Sequence, residues 1–302
     1  MARAPLSALP VKARLDAARP HFADLPAGRL EYADVGGGPP LLALHGALGG
    51  FDQALLLAMA AFGDWPARRI LAPSRPGYLG TRLETGRSPE EQADLYAALL
   101  DYLGIDAVDV VAVSGGGPSA ILFAARHPAR CRSLVLISAC MERLVIPQEY
   151  QGRFETMLRM TRHAPVRWLM ALTGRFAPEG GIRRSIADEA LCRRTLADPE
   201  AGPLIRALQF TVMSRLTLRM PGLVNDTACC AALEDLPLES VQAPALVVHG
   251  TGDRAVPFAH AANAMKRLPQ ARLLAIEGGE HVCLFTHIER VRAAVARLSG
   301  EG

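Results

Sequence analysis

The sequence predicts an α/β protein: a mostly parallel, eight-stranded sheet flanked by helices, with an all-helical segment inserted after the sixth strand. Three observations carry this prediction. Short apolar runs, such as 41–44 and the β-branched-rich 108–113, suit strands buried on both faces. Segments with helical periodicity alternate with those runs, as crossovers between parallel strands require. The alternation stops between 141 and 236, where helical spacing alone is found, and resumes at 243.

Taken in order, residues 1–21 form a leader segment or short helix with no chemistry to assign. Stretches 22–25 and 29–34 alternate apolar and polar residues around Pro26-Ala27-Gly28, the pattern of a hairpin supplying two edge strands. Gly36-Gly37-Gly38-Pro39-Pro40 turns the chain into the buried strand Leu41-Leu42-Ala43-Leu44, which ends in His45-Gly46-Ala47-Leu48-Gly49-Gly50. A helix over 51–62, a strand over 69–72 and a loop over 73–81 follow. Ser88-Pro89-Glu90-Glu91 combines a capping box with proline at the first helical position, and opens a helix to about 103. Strands at 108–113 and 131–138 enclose a helix over 120–126. Helical periods then occupy 151–162, 165–172 and 204–219. A strand ending at Gly250, a helix over 257–268, a strand over 271–276 and a helix ending near 298 complete the chain. The expected organisation is one sheet domain, 22–140 with 237–302, and a helical cap over 141–236.

Composition narrows the partners. At 302 residues and 50% hydrophobic, the chain buries a large core. Its net charge of +3 is spread over mixed signs with no basic stripe, so no nucleic-acid partner is expected. Nearly all positive charge is arginine, Lys12 and Lys266 being the lysines, which reads as composition bias. Cysteines 131, 140, 192, 229, 230 and 283 lack zinc-site or Cys-x-x-Cys spacing and read as buried free thiols. The N-terminus lacks the apolar core of a signal peptide, and no apolar run approaches the ~20 residues of a membrane span. These features predict a soluble, reduced, cytoplasmic protein without stable membrane insertion, acting as a monomer or homodimer.

The chemistry begins at Ala112-Val113-Ser114-Gly115-Gly116-Gly117-Pro118. An apolar run stops at a serine, three glycines follow, and a helix begins. A strand turning that sharply into a helix presents a hydroxyl at its apex, and needs small residues two before and two after it, here Ala112 and Gly116. Such a hydroxyl is a weak nucleophile without a base, itself oriented by a third group. Asp253, in Gly250-Thr251-Gly252-Asp253, follows one later strand, and His281, in Gly278-Gly279-Glu280-His281, follows the next. The C-terminal ends of parallel strands share one sheet edge, so the three residues can meet there. Each has a competing structural role: Ser114 as a helix cap, Asp253 as an Asx-turn residue, His281 as a helix-start residue. Glu142 and Asp226 are the rival acids. His45 and His249 read as structural strand-end residues; His21, His127, His163, His260 and His287 read as surface or packing residues, with no metal-ligand spacing. Arg75 reads as holding its own loop rather than a substrate carboxylate.

From about 22 to 298 the chain resembles an α/β-hydrolase-fold serine hydrolase with a helical cap. The motifs are His45-Gly46-Ala47, Ser114 in its pentapeptide, Gly250-Thr251-Gly252-Asp253 with Val256-Pro257, and Gly278-Gly279-Glu280-His281, in the order Ser, Asp, His. Ala112 departs from the glycine often found there but keeps the small side chain the position needs. The resemblance implies Ser114 as nucleophile, His281 as base, Asp253 as its orienter, and an oxyanion hole from the N–H groups of Ala47 and Gly115. It implies hydrolysis of a small or medium, largely apolar carboxylic ester, with no metal and no cofactor. The same triad also serves carbon–carbon bond hydrolases, lactonases, thioesterases, amidases, acyltransferases and perhydrolases, and the fold also serves non-catalytic small-molecule receptors. Serine rather than aspartate at the elbow argues against epoxide hydrolases and dehalogenases, and His45-Gly46 followed by Ala47 argues against the His-Gly-Gly-Gly esterases. Met141, Met157, Met160, Met170, Met213 and Met220, with Phe154, Trp168 and Phe210, would either line an apolar pocket or pack the cap onto the sheet domain.

Overall fold

A computed structural model describes residues 10–63, 67–144 and 179–300, with isolated positions between 156 and 172. Its strands are β1 (His21–Leu25), β2 (Gly28–Val35), β3 (Pro40–Leu44), β4 (Arg69–Pro73), β5 (Val108–Val113), β6 (Cys131–Ile137), β7 (Ala245–Gly250) and β8 (Ala271–Ile276). They join in one sheet in the order β1-β2-β4-β3-β5-β6-β7-β8. β2 runs antiparallel to both of its neighbours, and every other pairing is parallel. The expectation of two edge strands is corrected here. Of the two hairpin strands β1 alone lies at an edge; β2 pairs on its far side with β4, from Tyr32↔Pro73 to Val35↔Ile70.

Alternate residues of a strand point to opposite faces, and both faces here are apolar. Leu41, Ala43, Val111, Val135, Ile137 and Val248 lie under α2 (Phe51–Phe62) and the C-terminal helix. Leu42, Leu44, Val110, Leu134, Leu136 and Val247 lie under α3 (Pro89–Tyr102) and α4 (Gly117–Arg126) on the other face. α1 (Val11–Ala17) precedes the sheet within the expected leader segment. The box opening α3 forms as read: Ser88 Oγ accepts the Glu91 N–H at 3.2 Å, and the Glu91 carboxylate accepts the Ser88 N–H at 2.9 Å.

Between β6 and β7 the described elements are four α-helices, α5 (Glu179–Ser185), α6 (Glu189–Ala197), α7 (Ala201–Met213) and α8 (Leu216–Ala231), and a single 3-10 turn (Leu238–Ser240). The continuous helix expected over 204–219 is broken at Ser214-Arg215, where Arg215 turns left-handed at φ +51°. Apolar spacing persists across the corner, so periodicity could not reveal it. The Ser214 carbonyl left open by the break accepts a bond from Arg219 Nε at 3.0 Å. Most of the helical periods expected over 151–162 and 165–172, with Phe154, Met157 and Met170, lie outside the described residues. After β7, the helix expected over 257–268 shortens to α9 (Ala259–Ala264). The C-terminal helix divides at His287 into α10 (Cys283–Thr286) and α11 (Ile288–Ser299). All six cysteines are free. Among the described residues no helix is long and apolar enough to cross a membrane.

Replacing Ser88 by alanine removes one half of the capping box while leaving the core untouched. A loss of about 1 kcal/mol is expected, seen as a lower urea midpoint with an unchanged slope.

Candidate active site

β5 delivers Ser114 to the C-terminal edge of the sheet and turns there. Ser114 has φ +52°, a left-handed conformation that non-glycine residues adopt only when the surroundings enforce it. The turn closes against β3: a Cβ on Gly116 would stand 2.7 Å from the His45 carbonyl oxygen and 2.9 Å from that of Leu44. Only glycine fits so close an approach. The Ser114 carbonyl accepts the Cys140 N–H at 3.0 Å, tying the turn to the end of β6. No side chain caps α4, so the Ser114 hydroxyl is not used as a helix cap. It lies 3.1 Å from His281 Nε2.

His281 and Asp253 come from the loops after β8 and β7. Those loops lie against each other, the Gly252 N–H donating to the Gly279 carbonyl at 2.9 Å and the Gly278 N–H to Thr251 Oγ1 at 2.8 Å. His281 Nδ1 is 2.8 Å from Asp253 Oδ2. The two oxygens of Asp253 have different partners. Oδ1 accepts the N–H groups of Ala255 at 2.8 Å and Val256 at 3.0 Å as an Asx turn, leaving Oδ2 for the imidazole. Burial opposes the Asp253 charge, but the His281 hydrogen bond and the two backbone donors outweigh it and hold the carboxyl below the usual carboxylate range. The Asp253 side chain is fully buried while that of His281 is 29% exposed. A fixed buried anion thus stands behind an imidazole whose other nitrogen reaches a hydroxyl. That arrangement can take the hydroxyl proton and stabilise the imidazolium so formed.

The loop after β3 faces the same turn. A Cβ on Gly46 would stand 3.0 Å from Ser114 Cβ, and one on Gly115 would stand 3.7 Å from the Ala47 nitrogen. Ala47 and Gly115 therefore flank one small space beside Ser114. His45 is fully buried; its Nδ1 lies 2.7 Å from the Gly46 carbonyl oxygen, and its Nε2 accepts the Arg75 N–H at 2.9 Å.

The rival acids are engaged elsewhere. Glu142 accepts from Asn263 Nδ2 at 3.1 Å. Asp226, on α8, takes the Tyr78 hydroxyl at 2.6 Å and is paired with Arg75, which is itself buried. Arg75 holds its own loop, and also holds α8 to the sheet domain. Arg219 of α8 is buried with opposite polarity, donating to Asp52 Oδ2 at 2.6 Å and the Gly49 carbonyl at 2.6 Å. Neither cross-link was read from sequence; a buried partner 151 residues away leaves no local signal. His249 Nε2 donates to the Val256 carbonyl at 2.9 Å, and His260 Nδ1 accepts the Met141 N–H at 3.2 Å. Among the described residues no cluster of His, Cys, Asp and Glu is placed to hold a metal ion.

The family model described as α/β hydrolase fold matches residues 39–288. The chain is 28% identical to an uncharacterized hydrolase of Bacillus subtilis, across 84% of this chain and 89% of that one. It is 31% identical to a pimeloyl-[acyl-carrier protein] methyl ester esterase of Aromatoleum aromaticum, across 83% of this chain and 94% of that one. A solved α/β hydrolase fold protein from Nakamurella multipartita superposes with a TM-score of 0.81 at 31% identity, covering 93% of this chain and 98% of that one.

Burial holds the pKa of His45 well below the ordinary imidazole value, and also lowers those of His249 and His260. In the unfolded chain these rings titrate near ~6.5. Below that pH the unfolded state binds more protons than the native one, so stability falls as pH falls. The slope approaches ~1.4 kcal/mol per pH unit for each ring still neutral in the native state. Thermal unfolding should therefore move to lower temperature between pH 7 and pH 5; an unchanged or rising midpoint would contradict this.

Proposed function

The chain belongs to the α/β-hydrolase fold family, and on that premise we propose that it is a serine hydrolase cleaving a carboxylic ester through an acyl-serine intermediate. The observation that carries this reading is the chain of contacts from Asp253 Oδ2 through His281 to Ser114 Oγ, at 2.8 and 3.1 Å. His281 Nε2 takes the Ser114 proton as Oγ attacks the ester carbonyl, and Asp253 stabilises the imidazolium. The N–H groups of Gly115 and Ala47 receive the oxyanion, each contributing about 3–4 kcal/mol to the transition state. The imidazolium returns its proton to the leaving alcohol, and water then repeats the attack on the acyl-serine.

Ester chemistry is favoured by the similarity to a methyl ester esterase along 94% of that protein. Residues 141–236 act in this reading as a cap that selects the acyl group. Phe210, Met213 and Met220 are half-buried there and supply an adaptable apolar wall, whereas Met141 is in the core under the sheet. Trp168 and Met160 are exposed at 66% and 50%. Arg183, Arg184, Arg193 and Arg194 are exposed, as a solvated face would be.

The Ser114→Ala variant should cleave a short p-nitrophenyl ester roughly 10⁴-fold more slowly or worse, and should not be labelled by a fluorophosphonate probe. Near-normal turnover would overturn the nucleophile assignment.

A further inference from the structure

The peptide between Gly46 and Ala47 carries the N–H that the proposed mechanism uses and a carbonyl that points the opposite way, because a trans peptide is planar. Whatever holds that carbonyl therefore aims the N–H. We propose that His45 is the positioning residue of the oxyanion peptide, and that Asp226 of α8 locks it in place through Arg75. This rests on the reading of Ala47 as an oxyanion donor.

His45 Nδ1 is 2.7 Å from the Gly46 carbonyl oxygen. A carbonyl only accepts, so the proton must lie on Nδ1. The other ring nitrogen settles the same point independently: a backbone amide only donates, and the Arg75 N–H reaches Nε2 at 2.9 Å, so Nε2 is unprotonated. One neutral tautomer satisfies both bonds. Full burial and the nearby Arg75 guanidinium keep the ring in that neutral form. With the Gly46 carbonyl taken, the Ala47 N–H turns the other way, beside Ser114 and Gly115.

Arg75 must itself be immobile for this to work, and its side chain has no free direction. Nε donates to the His45 carbonyl at 2.9 Å, and Nη1 donates to Gln92 Oε1 at 3.2 Å and Asp226 Oδ1 at 3.0 Å. Nη2 donates to Asp226 Oδ2. Asp226 is held in turn by Tyr78 and by the docking of α8 on the loop after β4. In that docking the Gly222 N–H donates to the Gly77 carbonyl and the Leu79 N–H to the Leu218 carbonyl, both at 2.8 Å. A helix inserted between β6 and β7 thus completes a brace that ends at the oxyanion peptide. A guanidinium deprived of Asp226 would be a buried, unpaired cation and would have to move, taking its Nε–H away from the His45 carbonyl and loosening the segment whose backbone N–H holds His45 Nε2.

The test compares wild type with His45→Gln and Asp226→Asn, each first shown to be folded by circular dichroism and thermal melting. Two readouts are taken: kcat and KM on a p-nitrophenyl ester, and affinity for a trifluoromethyl ketone, whose adduct with serine carries an oxyanion. We expect kcat to fall by about 10²-fold in His45→Gln, with KM within about threefold and ketone affinity falling in parallel with kcat. Asp226→Asn should show the same pattern, to a lesser degree. Unchanged kcat in either folded variant overturns the inference, as does a fall in kcat without a fall in ketone affinity. If His45→Gln does not fold, Asp226→Asn with Arg75→Lys carries the same comparison. A wild type that is neither active nor labelled by fluorophosphonate at Ser114 refutes the hydrolase reading itself; a labelled wild type with indistinguishable variants refutes this inference alone.

Discussion

The left-handed Ser114 is the constraint around which the molecule is built. A non-glycine residue at φ +52° costs of order 1–3 kcal/mol and persists only where its neighbours over-determine it. Here they do so from three directions. β3 approaches Gly116 so closely that no side chain fits, Cys140 donates to the Ser114 carbonyl, and Gly46 closes on the Ser114 side chain. The apolar layers beneath the sheet exist at this level to make β3, β5 and β6 rigid enough to impose those contacts.

The same economy recurs at β7 and β8. A Cβ on Gly250 would stand 2.1 Å from the Gly279 carbonyl oxygen, so the two loops that carry Asp253 and His281 touch backbone to backbone. Fixing one fixes the other. Asp253 divides its oxygens between its own turn and the imidazole, so the loop geometry and the carboxylate geometry are a single feature.

Charge is buried in pairs that cross between the sheet domain and α8, with opposite polarity at two points: Arg75 with Asp226, and Asp52 with Arg219. Buried ion pairs are weak sources of net stability but costly to break. Their effect here is one of register, since α8 can satisfy both only in one position on the loops after β3 and β4. Arg219 also holds the Gly49 carbonyl, as Arg75 holds that of His45.

What the sequence determined by itself is whatever rests on local or periodic chemistry. Buried strands announce themselves as short apolar runs, α3 as a capping box, and the elbow as a serine between small residues. Ser114, Asp253 and His281 were legible as candidates because parallel topology sends successive strand ends to one edge. The interior position of β2 was not legible, since a hairpin pattern says nothing about what covers its second flank. The corner at Ser214-Arg215 was hidden because both halves keep the same apolar spacing. The largest gap was Asp226 and Arg219. A sequence shows that a side chain is charged, whereas burial and the partner across 151 residues are set by how helices dock on loops. Tertiary structure alone therefore decided which charges leave water and, with that, what holds the peptide beside Ser114.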